Sequence, residues 1–288
     1  MRSIFHYTSF ESFIGMIKDT SFSNNLNFWA SQISSMNDPL DGFVGDIAIE
    51  RHLQDIENEL NIPKNERIYN TIKSDIIFKD IRRILLEDKN ATNNYLYNHF
   101  VISFSEEKDI IPLVSMYCDK GKGVILGFDR NKFVMSKNLI RGNVSYDENN
   151  LKDLLKECYI KNLMFSHFHH TYKNKLNPIL IRTLSFYSQI ISNFSFTKIN
   201  KYEYEKEYRI TIYNETSNVQ ERDVYVNETD KRTIPYIEYK IPISYLNEII
   251  LGPNVNKVKF IEIKELLEAK KFPESLINTI KISDVPFR

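Results

Sequence analysis

The chain has 288 residues, with 38 basic residues matched by 38 acidic ones, 42% hydrophobic residues and an aromatic share of 13%. Such a composition can bury a core and excludes intrinsic disorder, and zero net charge excludes capture of nucleic acid or an anionic membrane by a global field. Two cysteines, Cys118 and Cys158, stand in no metal or redox spacing, no early apolar run has signal-peptide length, and no stretch approaches membrane-span length, so a cytoplasmic protein without membrane insertion is expected.

In chain order, residues 3–8 predict a short strand. Thr8-x-x-Glu11 predicts a capping box for a helix whose apolar residues Phe10, Phe13, Ile14 and Ile17 recur at i, i+3, i+4 and i+7. Residues 28–31 predict the next strand, followed by the loop Met36-Asn37-Asp38-Pro39, where proline disfavours helix at Asp38 and the two polar side chains hold a turn. Residues 44–99 carry charged, helix-spaced sequence broken at Pro63 and predict a helical insertion. Residues 101–105 alternate as a strand, 113–118 predict a short helix, and 123–128 a buried strand flanked by glycine.

Residues 149–200 predict a second helical insertion, interrupted near Pro178. Strands are expected again at 204–213 and 236–241, separated by a polar loop at 215–232, then at 249–251 before the Gly252-Pro253 turn. A helix at 258–270 and a closing strand near 280–285 complete the chain. The expected fold class is α+β: one domain over residues 1–288 with a split, mainly antiparallel sheet core, helical insertions packed around it, and a cleft between early and late strands.

Two segments carry chemistry. His6 and Tyr7 precede the first helix, and Glu205-Lys206-Glu207-Tyr208-Arg209 reads as a strand in which Glu205, Glu207 and Arg209 share a face. An arginine beside carboxylates keeps them ionised. From spacing alone, Glu-x-Glu-x-Arg is also the pattern of a solvated face with cross-strand ion pairs, and His6 that of a satisfied strand-end histidine. Ser105-Glu106-Glu107 fits a helix N-cap followed by first-turn acids. His167 and His170 would share a helix face, but no carboxylate or cysteine of matching spacing joins them, so no metal is expected.

The order of His6-Tyr7-Thr8, Met36-Asn37-Asp38-Pro39, Phe104-Ser105-Glu106-Glu107-Lys108-Asp109, Met116-Tyr117, Lys122-Gly123-Val124-Ile125-Leu126-Gly127-Phe128, Glu205-Lys206-Glu207-Tyr208-Arg209 and Ile249-Ile250-Leu251-Gly252-Pro253 resembles one bacterial family, the domain of unknown function 2971. The resemblance spans nearly the whole chain, with the helical stretches as variable insertions. It departs in lacking a tryptophan around Ser115-Met116-Tyr117.

That family is in turn similar to the ADP-ribosyltransferase fold, whose members split NAD between nicotinamide and ribose. The second resemblance implies His6, Ser105 and Glu207 as counterparts of its early-strand, middle-strand and late-strand residues. Tyr7, Thr8, Asn37, Tyr117 and Arg209 would then contact NAD, and Glu205, Glu207 and His6 would carry catalysis. Cleaving the nicotinamide bond develops an oxocarbenium-like ribose, which a nearby carboxylate stabilises. His6 would hydrogen-bond the ribose or hold the nearby backbone in register, and Tyr7 or Tyr117 would stack on the nicotinamide ring.

The implied activity is an NAD-consuming transferase or glycohydrolase, of the kind found in toxins and phage defence, with an acceptor that is protein, nucleic acid, small molecule or water and with an antitoxin or inhibitor as a further partner. Two competing functions remain open: a sensor that binds a nucleotide without cleaving it, and a metal-dependent hydrolase or nuclease, for which the acids are not arranged as a cage. Lys173, Lys175 and Arg182 form a candidate local basic patch for nucleic acid.

Overall fold

The computed structural model describes residues 2–20, 24–33, 36, 44–73, 99–136, 138–147, 150–164, 178–213, 219–225 and 231–286. Asn37, Asp38 and Pro39 of the predicted turn, residues 74–98 and 165–177 of the predicted helical insertions, and with them His167, His170, Lys173 and Lys175, lie outside the described residues. Along the chain run β1 (Ser3–Thr8), α1 (Phe10–Met16), β2 (Asn25–Gln32), α2 (Val44–Glu59), α3 (Tyr69–Lys73), β3 (His99–Ser105), α4 (Ile111–Tyr117), β4 (Val124–Asp129) and β5 (Leu139–Asn143). Then follow α5 (Leu151–Met164), α6 (Pro178–Phe194), β6 (Glu207–Tyr213), β7 (Gln220–Tyr225), β8 (Lys231–Pro242), β9 (Leu246–Leu251), α7 (Lys257–Ala269), α8 (Glu274–Ile277) and β10 (Lys281–Ile282).

The strands form one sheet in the order β10, β9, β4, β1, β3, β2, β8, β7, with β6 on β3 and β5 on β6. Only β9 and β10 pair in parallel among these ladders, so the class is α+β with a mainly antiparallel sheet. On one edge β3 pairs with β6 along its whole length, from His99 opposite Tyr213 to Ser105 opposite Glu207. Its other edge is shared: β2 meets Phe100 and Val101, and β1 meets only Ser105. Between these contacts β1 and β2 diverge, and the sheet is split along the edge of Ile102, Ser103 and Phe104.

Strand alternation explains the two faces of this region. Phe100, Ile102 and Phe104 of β3, Leu26, Phe28 and Ala30 of β2, and Tyr208, Ile210 and Ile212 of β6 belong to one buried apolar core with Phe13, Ile263 and Leu267. The intervening positions Ser103, Ser105, Glu207, Arg209 and Thr211 make the opposite face polar. A second core forms where α2, α3, α5 and α6 meet, with Leu53, Ile56, Tyr159 and Phe186 at its centre. The described parts of the two predicted helical insertions therefore pack on each other. Buried Glu57 is part of that junction: its Oε1 accepts from the backbone N–H of Ile68 and Tyr69 at the start of α3 and from the Tyr159 hydroxyl.

Several local expectations are corrected. The cap of α1 is Ser9, whose Oγ accepts from Ser12 N at 3.0 Å, and not Thr8, which stays in β1 opposite Val124. The stretch after Ser105 does not form a helix; α4 starts later, at Ile111. A strand, β7, forms within the expected polar loop by pairing with β8, and β5 is a strand that periodicity did not signal. Gly123 and Gly252 mark a close backbone approach: a Cβ on Gly123 would lie 2.3 Å from Thr8 O, and one on Gly252 would lie 2.2 Å from Gly121 O.

Candidate functional site

A cleft of about 670 Å³ opens at the split in the sheet. Its walls come from β1 (Phe5, His6, Tyr7, Thr8), β2 (Asn27, Phe28, Trp29, Ser31), the edge of β3, the ends of α1 and α4, and a late cluster of Lys198, Tyr202, Glu205 and Glu207. The amino-terminal histidine and the late acidic pair thus line one concavity. They approach it from different faces. His6 shares a strand face with Ile4 and packs edge-on against Phe28 and Phe104 of the apolar face, with ring centroids 5.0 and 5.7 Å away, whereas Glu207 extends from the polar face. The gap between β1 and β2 joins the two sides.

His6 Nδ1 lies 3.0 Å from the carbonyl oxygen of Ser103, on the unpaired edge of β3. Because a carbonyl only accepts, Nδ1 carries the proton and Nε2 is the acceptor nitrogen. Burial pulls the imidazole down to about 4 against the opposing pull of the Ser103 carbonyl. His6 is therefore neutral at physiological pH and offers a ligand an acceptor and not a positive charge.

The acidic end is built differently from the predicted strand. Residues 200–205 form a 3₁₀ turn, Lys206 adopts a left-handed conformation at φ 46°, and β6 begins only at Glu207. Glu205, Glu207 and Arg209 therefore do not share a strand face; Glu205 reaches the cleft from the turn. That turn is pinned to β3, with Ser105 Oγ donating to Glu205 O at 2.7 Å and Glu106 N donating to Lys206 O at 2.8 Å. Glu107 N in turn donates to Ser105 Oγ at 3.1 Å. Ser105 is thus a positioning residue for Glu205.

The two carboxylates converge on Lys198, whose Nζ lies 2.8 Å from Glu205 Oε2 and 2.9 Å from Glu207 Oε2. An extended stretch after α6 holds this lysine: Thr197 bridges to Ser145, Ser145 N donates to Phe196 O, and Lys198 N donates to Ser145 O. Arg209 does not line the cleft. It is fully buried behind Glu207, with Nε 2.7 Å from Oε1 and Nη2 3.1 Å from Oε2, while Nη1 donates to Ser195 O at 2.7 Å.

Burial would raise Glu207, but the charges of Arg209 and Lys198 outweigh it and hold this carboxyl well below the usual range. Glu205 is raised by burial, only partly opposed by Lys198. The environments thus push two adjacent acids apart, a fixed anion at Glu207 and a more basic carboxylate at Glu205. Glu205 Oε1 takes no hydrogen bond from the described residues.

Tyr7 lines the cleft with its ring, but its hydroxyl is committed. It donates to Glu107 O at 2.9 Å and accepts from Ile110 N at 3.1 Å, fastening the loop before α4. Thr8 contributes at the β1 end, and Tyr117, the last residue of α4, faces the cleft beside the exposed Met116. Among the described residues no cluster of three or more His, Cys, Asp or Glu is arranged for a metal ion, and no helix is long and apolar enough to cross a membrane.

Residues 115–210, which hold the end of α4, β4, β5, Lys198, Glu205 and Glu207, match a family model. It is described as Protein of unknown function (DUF2971). The resemblance read from the ordered motifs is supported over that segment, and no finding ties it to ADP-ribosyltransferases. No curated protein and no solved structure matches the chain. Lys198, central to the site, was not among the residues singled out from sequence. Its only signal is one cation in the otherwise apolar and small run Phe194-Ser195-Phe196-Thr197-Lys198-Ile199.

Proposed function

We propose that the cleft binds a nucleotide and cleaves the bond between its ribose and base, with NAD as the substrate and water or a second molecule as acceptor. The observation that carries this reading is the pair of buried carboxylates, Glu207 clamped by Arg209 and Lys198 and Glu205 held by Lys198 alone, in the same cleft as His6 and several aromatic rings. In such a site Glu207 stays ionised and faces positive charge developing at the ribose, and Glu205 takes the proton from the attacking hydroxyl. With water as acceptor, the bond from ribose C1′ to the nicotinamide nitrogen breaks, the bond from C1′ to the water oxygen forms, and the proton passes through Glu205 to solvent. Products are ADP-ribose and nicotinamide. His6 Nε2 accepts from a ribose hydroxyl, and Tyr117 supports the ring.

Glu205→Gln is the cleanest test, because Glu205 holds only Lys198 through its carboxylate. Loss of a general base at this position lowers nicotinamide release by about 10²–10⁴-fold while the protein stays folded. Release that continues at the wild-type rate contradicts the assignment.

A second reading, a sensor that holds the nucleotide intact, is favoured by the occupancy of Glu207. Both of its oxygens are engaged by Arg209, and one also by Lys198. Two neighbouring cations reduce the field that Glu207 can present to an oxocarbenium ion. Under this reading NAD binds and no nicotinamide appears.

A further inference from the structure

At the other end of the cleft, Arg222 of β7 reaches across the sheet to β2. Its Nη2 donates to Ser31 Oγ at 3.2 Å, and its guanidinium carbon sits 5.3 Å from the centre of the Trp29 ring. Register accounts for this reach: Arg222 lies opposite Ile234 on β8, and Ser31 of β2 lies opposite Tyr236 of the same strand. The guanidinium is half-buried, yet it makes no ion pair with a carboxylate among the described residues, and its Nε is buried without an acceptor. Burial lowers its pKa from the ordinary arginine value, opposed by Tyr236, and the guanidinium stays protonated.

A half-buried cation with no carboxylate partner among the described residues points to an anionic ligand, because an uncompensated charge held away from water is costly. This one lines the cleft beside a tryptophan that is 48% exposed, a flat surface able to take a sugar or base. The contrast with the acidic end is sharp, since Lys198 and Arg209 are both neutralised there. From Glu207 on β6 to Arg222 on β7 the sheet runs β6, β3, β2, β8, β7. That is four strand spacings, roughly 19 Å at about 4.8 Å each, less the inward reach of a glutamate and an arginine side chain.

We infer that Arg222, Ser31 and Trp29 form a phosphate subsite that holds the diphosphate of a nucleotide whose ribose lies toward Glu205 and Glu207. The planar guanidinium donates two parallel N–H groups to phosphate oxygens, Ser31 adds a hydroxyl, and Trp29 supports the adjoining sugar or base. The choice of a nucleotide rests on the function proposed above; the demand for an anion at Arg222 rests on the charge balance alone.

Calorimetric titration of the full chain with ADP and with adenosine tests this. Wild type binds ADP more tightly than adenosine, and Arg222→Gln erases that preference, a loss of about 10-fold or more in ADP affinity. Arg222→Lys keeps the charge without the fork, gives a reduced preference, and serves where the glutamine variant does not fold. A wild type indifferent to the diphosphate, or an undiminished preference in either variant, overturns the subsite. Failure of NAD cleavage with the ADP preference intact would count against the catalytic reading alone.

Discussion

Glu207 is the residue whose environment departs furthest from its sequence-level reading. As a strand residue flanked by Glu205 and Arg209 it looked like the acting acid, whereas it is buried and clamped by Arg209 and Lys198. Glu207→Gln therefore tests stability as much as activity: removing the anion leaves two buried cations short of a partner, at a cost of about 3–5 kcal/mol read as a fall in the unfolding midpoint. Lys198→Met costs a similar amount by leaving Glu205 and Glu207 facing each other. The pH dependence follows from the same arrangement. Glu207 is depressed from 4.5 to about 2, so its stabilising effect is complete above about 4.5 and is lost as pH falls through about 2. His6 is lowered from 6.5 to about 4, so the unfolded chain binds a proton there that the folded chain does not, and stability declines as pH falls from 6.5 toward 4. Substituting His6 with asparagine flattens that limb of an unfolding-midpoint profile; an unchanged limb would place the titration elsewhere.

Elements with a clear period were legible in the sequence, and those held by tertiary pairing were not. The apolar spacing of Phe10, Phe13 and Ile17 marked α1, and the glycine-flanked run marked β4, because each pattern is local. β5 and β7 carry no such pattern: Arg141 and Asn143, or Glu221 and Arg222, become strand residues only by lying against β6 and β8. The break between Glu205 and Glu207 was hidden for a related reason. Lys206 is left-handed without being glycine, and the bonds from Ser105 and Glu106 to the turn hold it there. The close approach at Gly123 is the sharpest probe at this scale. Gly123→Ala drives a Cβ into the backbone of Thr8 and Cys118, and a loss of about 1–3 kcal/mol is expected, with displacement of the β1 end that carries the cleft. Thermal unfolding beside NAD binding measures both effects.

Across the whole molecule, the cleft is built where two cores meet. The sheet supplies His6, Ser105 and Glu207, the turn before β6 supplies Glu205, and the helical core of α2, α3, α5 and α6 leads into the stretch that holds Lys198. The convergence of distant segments at one cleft was anticipated from motif order; the gap between β1 and β2 that joins opposite sheet faces was not, since strand divergence has no sequence signature. Phe186→Ala, which empties the centre of the helical core, is expected to cost about 3–5 kcal/mol and also to weaken the cleft, visible as reduced ADP affinity in the fraction that remains folded. The most direct test of the central claim is mass spectrometry of the purified full chain incubated with NAD, run beside Glu205→Gln. Free nicotinamide from wild type and its near-absence from the variant is the expected result; NAD recovered intact from wild type at every time and concentration would contradict cleavage in this cleft.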